Sequence, residues 1–108
     1  MNTPVRSTDS TRIMAVLVKS AEDIRRIAAE YGATDLKIFG SVARGDAGPH
    51  SDVDLAVTLP GRRVDKVMSM LGLGEELSAL LGVRVDVVAR GVLEPEYSSV
   101  AQREEIDL

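Results

Sequence analysis

The sequence contains no cysteine, which excludes disulfides and thiolate metal sites and agrees with a reducing compartment. No apolar run approaches the roughly 20 residues that a bilayer-crossing helix requires, and the opening MNTPVRSTDSTR lacks the charged-then-apolar order of a secretory leader. A cytoplasmic protein is therefore expected. Positive charge is also in short supply: 13 Lys and Arg stand against 17 Asp and Glu, a formal charge of −4. That balance leaves no electrostatic footprint for gripping a long polynucleotide. No internal repeat is present, and no low-complexity segment follows the Ser/Thr/Asp-rich residues 1–12.

What is present suits one compact domain. The chain has 108 residues, 44% of them hydrophobic and 28% charged, enough for one core and too few for two. Residues 1–19 are expected to be an extension, a mobile tail leading into the apolar IMAVLV at 13–18, with the folded domain spanning 20–108. Ser20 and Asp23 form a capping pair, and Ile24, Ile27, Ala28 and Tyr31 recur at helical spacing up to Gly32. DLKIFG reads as a strand entering a tight turn, and DVDLAV at 52–57 as a second strand. After Pro60 and Gly61 a helix runs to Leu81 and stops at Gly82. VRVDVV at 83–88 alternates as a third strand, with Arg84, Asp86 and Val88 sharing one face. Pro95 opens a terminal helix over EYSSVAQREE. The fold class is α/β: a small mixed sheet flanked by helices.

The chemistry concentrates in GSVARGDAGPHSDVDL, residues 40–55. Gly40 has no side chain to keep backbone away from a phosphate, Ser41 carries a hydroxyl that can donate to a phosphate oxygen, and Arg44 adds charge one turn on. Asp52 and Asp54 point to the same side of their strand, backbones about 6.6 Å apart, while Val53 and Leu55 point into the core. Crowded carboxylates repel unless a cation neutralises them, and Mg²⁺ completed by triphosphate oxygens suits such a pair. Asp86, a lone acid in an apolar strand, joins them if its strand lies alongside. Three carboxylates around two cations about 3.5–4 Å apart are an apparatus for in-line displacement at phosphorus.

Other motifs fail on specific residues. Gly40 and Gly45 have the glycine spacing of a Walker loop, but Asp46 and Ala47 stand where Lys and Ser or Thr belong. Asp52 and Asp54 do not open an EF-hand, because Val57 occupies the glycine position. RGD at 44–46 is a coincidence of the turn. His50, Arg62 and Arg63 read as solvated surface, Tyr31 as core, and the Leu and Met spacing of 67–81 as core with surface to spare for a second chain.

Taken together, GS, ten residues, then DVD, with ARG after the turn and SDVDL around the acids, resembles the minimal nucleotidyltransferases of the DNA polymerase beta superfamily. The likeness covers roughly residues 20–105. It implies a nucleotidyltransferase fold, a nucleoside triphosphate held by Gly40 and Ser41 with Arg44, two Mg²⁺ ions on Asp52 and Asp54, and Asp86 as third ligand or base. Stand-alone members of this size resemble antitoxins that transfer AMP from ATP to a tyrosine of a HEPN-type ribonuclease toxin, which implies ATP as substrate and a hetero-oligomer with that toxin. Two alternatives stay open: an antitoxin that neutralises by binding alone, and a transferase acting on a small molecule of the aminoglycoside kind.

Overall fold

The computed structural model describes residues 6–92 and 106–108. Two helices open it, α1 (Thr8–Lys19) and α2 (Ala21–Glu30). Strand β1 (Thr34–Phe39) runs directly into the short helix α3 (Gly40–Arg44), and β2 (Val53–Thr58) follows. The long helix α4 (Arg63–Leu81) leads to β3 (Val85–Ala89), and β4 (Ile106–Asp107) closes the chain. The terminal helix expected after Pro95 lies outside the described residues. No helix among the described residues is long and apolar enough to cross a membrane.

The sheet order is β3-β2-β1-β4. β1 is antiparallel to β2 and to β4, whereas β2 and β3 are parallel, with α4 as the crossover between them. Alternation sorts the side chains. Ile38, Val53, Leu55, Val57, Val85 and Val87 join the main core, packed with Ile24, Leu73 and Leu77. The opposite face carries Phe39, Ala56 and Val88 as a small separate cluster, and on it stand the two acids of β2 and β3.

The extension expected at residues 1–19 is, over Thr8–Lys19, a helix belonging to the core: Ile13 and Leu17 are almost fully buried. Ser7 caps it by accepting a hydrogen bond from the Ser10 N–H at 3.0 Å. IMAVLV is only its second half; the apolar positions gain meaning when Ser10 is included, because Ser10, Ile13 and Leu17 fall on one face at i, i+3 and i+7. The expected Ser20 cap also differs. Ser20 ends α1, its N–H bonded to Val16 O, and its φ of −97° and ψ of 5° are not the extended geometry of a capping side chain. Two glycines do not interrupt α4. Gly74 lets the helix approach β3, since a Cβ there would lie 3.3 Å from the Val85 carbonyl oxygen.

Candidate active site

Parallel pairing sets Asp54 of β2 directly beside Asp86 of β3, about 4.8 Å apart in backbone. Asp52 stands one residue ahead of β2, held by the bond from Val53 N–H to Arg84 O at 2.8 Å. Its carboxyl is close enough to Asp86 to share a hydrogen bond. The three acids singled out in the sequence are thus brought together at one end of β2 and β3.

The turn meets them from the other side. On β1, Phe39 pairs with Asp54, and Gly40 follows at φ +76°. A Cβ at Gly40 would overlap the Asp54 carboxylate, 3.1 Å from its Cγ. Only glycine fits, for its left-handed backbone and for the space. Val42 and Ala43 of α3 are buried, while Ser41 is half-buried and Arg44 exposed. Arg44 pairs with Asp46 at 3.3 Å, and its charge still reaches Asp54.

Electrostatics mark the acids out. Asp54 is pushed up to about 6, first by burial and then by the charges of Asp86 and Asp52, against the pull of Arg44. Asp52 is also raised: by burial first, then by the hydrogen bond and charge of Asp86, with Arg84 opposing. Like charges on one small patch favour protonation unless a cation arrives. Arg84 supplies part of that charge, its Nε 3.4 Å from Asp86 Oδ1 and 3.8 Å from Asp52 Oδ2. The sequence reading does not single Arg84 out, although the period of two sets it on the face of Asp86.

A cleft of about 590 Å³ opens beside the acids. Its lining combines Phe39, Asp54, Arg84, Asp86 and Val88 with Met70, Leu71, Gly74, Glu75 and Ser78 of α4. Gly40, Ser41, Arg44 and Asp52 do not line it, so the acids stand between the turn and the cleft. The donor set, oxygen-only and crowded with like charge, suits a hard divalent cation such as Mg²⁺. Among the described residues no three His, Cys, Asp or Glu side chains already close on one point; Arg84 lies against two of the acids. His50 is exposed, as expected. Tyr31 is half-buried against the core, and its hydroxyl donates to Glu76 of α4.

Residues 21–107 match the family described as Nucleotidyltransferase domain. The chain is 32% identical over 92 residues to the protein adenylyltransferase MntA of Thermococcus cleftensis, covering 85% of this chain and 88% of that one. A solved structure described as a proposed minimal nucleotidyltransferase superposes with a TM-score of 0.65 at 35% identity, covering 89% of this chain and 95% of the other. A chain of the toxin-antitoxin MntA-HpeT, solved in a mutant form, also superposes with a TM-score of 0.65. It is 21% identical and covers 82% of this chain and 70% of that one, a likeness of fold.

Proposed function

The chain belongs to the nucleotidyltransferase domain family, and from that premise we propose that it is an antitoxin transferring AMP from ATP to a tyrosine hydroxyl of a HEPN-type ribonuclease toxin. The observation that carries this reading is the direct pairing of Asp54 with Asp86, with Asp52 beside them and Gly40 against Asp54. The resemblance to a protein adenylyltransferase supports a protein as acceptor, and the shared fold of a toxin-antitoxin chain supports a toxin as that protein. The absence of cysteine suits a cytoplasmic reaction.

In this reading the Gly40–Ser41 turn holds the triphosphate, Gly40 by letting the turn close against the Asp54 carboxylate and Ser41 by donating its hydroxyl, and Arg44 adds positive charge. Asp52 and Asp54 would hold two Mg²⁺ ions, with Asp86 as a third ligand or base. When bound, the cations neutralise the triphosphate and the departing pyrophosphate. The acceptor oxygen bonds to the α-phosphorus while the bond from that phosphorus to its α,β-bridging oxygen breaks. Pyrophosphate leaves with the electron pair, and the hydroxyl proton passes to the Asp86 carboxylate. Before nucleotide arrives, Arg84 offsets part of the charge of Asp52 and Asp86.

The cleft beside α4 lies on the acceptor side. Val64, Val67, Met68 and Leu71 form an exposed apolar stripe on α4, at i, i+3, i+4 and i+7, and Leu71 also lines the cleft. Four side chains cover less than the roughly 800 Å² per partner of a standard interface. In this reading a toxin seated on the stripe also reaches into the cleft, which brings its hydroxyl to the acids.

The test is incubation with ATP labelled at the α-phosphate, Mg²⁺ and the product of the neighbouring gene. Label should move onto that protein, and Asp86→Asn should abolish the transfer. Inhibition of the toxin without label would leave a binding antitoxin, and label on a small molecule would make this a different transferase.

A further inference from the structure

The family match begins at residue 21, yet the segment just before α1 reaches across the fold to the turn that carries the proposed nucleotide contacts. The Arg6 guanidinium donates to two carbonyls of α3: to Val42 O, and through Nη1 to Ala43 O at 3.2 Å. Ser7 N–H donates to Gly45 O at 2.7 Å, and Ser7 Oγ donates to Ala47 O at 2.7 Å. The buried Ser10 Oγ accepts from Ala47 N–H at 2.8 Å. Gly45, at φ +93°, permits the approach, since a Cβ there would lie 3.1 Å from Arg6 Cγ.

A helix of one turn is marginal alone, because its terminal carbonyls lack partners and its nucleus is costly. Here those carbonyls are taken by a cation at the end where the backbone dipole favours one. Ser41 and Arg44 flank the two carbonyls that Arg6 holds. We infer that Arg6 is a positioning residue for the nucleotide site, keeping the Gly40–Arg44 turn in the conformation that receives the triphosphate; this rests on the nucleotide reading above.

The full chain and its Arg6→Ala and Arg6→Lys variants would be titrated with α,β-methylene-ATP, whose α,β linkage cannot be cleaved, in Mg²⁺. Amide hydrogen exchange of residues 42–47 and thermal melting would be followed alongside. Arg6→Ala should bind the analogue about tenfold more weakly, the scale of one lost charge-assisted hydrogen bond, with a matching rise in KM for ATP and little change in kcat. Exchange at Gly45 and Asp46, whose N–H groups bond to Ser41 O, should quicken. Arg6→Lys, which keeps the charge but not the fork, should fall between the two and serves in its place if the alanine variant does not fold. Unchanged binding and unchanged exchange in a folded variant would overturn the assignment, as would faster exchange with binding intact. A wild-type chain that does not bind the analogue would remove the nucleotide reading and this assignment with it, while the exchange data would still report whether Arg6 holds the turn.

Discussion

Asp54→Asn should make the metal-free protein more stable, because the carboxylate it replaces is destabilising where it stands. Asp54 titrates at about 6 in the fold, above its ordinary value of 3.8, so the fold binds a proton that the unfolded chain has released. A raised acid stabilises the fold fully below the unfolded value, and that contribution is lost as pH rises through the folded value. The nominal size is about 3 kcal/mol, but Asp54 is half-buried and screening reduces this to about 1 kcal/mol. Urea unfolding in chelator should therefore find the asparagine variant about 1 kcal/mol more stable at pH 8, an advantage mostly lost between pH 6 and pH 4. Mg²⁺ should stabilise the wild type and not the variant, since a ligand stabilises only the state that binds it. An advantage that does not change with pH, or a variant less stable than wild type at pH 8, would refute the crowding of the acids.

Gly40→Ala should add about 1–2 kcal/mol of left-handed backbone strain and push the Asp54 carboxylate aside. Transfer should fall at least about a hundredfold, the cost of small misplacements at a reacting centre, as measured with labelled ATP. Leu17→Ala should cost about 2–5 kcal/mol, read as a fall in the urea midpoint, because α1 is part of the core. Met68→Glu should change stability by no more than about 0.5 kcal/mol while weakening capture of the proposed toxin partner about tenfold or more, measured by calorimetric titration.

The acids are legible in the sequence because their chemistry and their geometry share one cause. In β2 the alternation that buries Val53 and Leu55 sets Asp54 outward, and in β3 the same rule buries Val85 and Val87 and turns Asp86 to that face. Two strands with matching patterns and a helical crossover pair in parallel, so the acids meet. Gly40 is legible as a close approach; that it is Asp54 it approaches needs the β1–β2 register. Residues 8–19 read as an extension because an apolar face at helical spacing begins with Ser10, which looks polar in sequence and is buried only because Ser7 and Ala47 satisfy it. Arg6 acts across 36 residues on Val42, a partner that no local pattern marks. Arg84 shares its strand face with Asp86 two residues on, but only the pairing of β2 with β3 brings it to Asp52.

The most direct test is anomalous diffraction from crystals soaked with Mn²⁺ and α,β-methylene-ATP. Manganese should be found on the carboxylates of Asp52 and Asp54 with Asp86 turned toward it, and the phosphates should rest against Gly40 and Ser41. Metal bound elsewhere, or Arg84 still bridging Asp52 and Asp86 with nucleotide present and no cation on the acids, would contradict it.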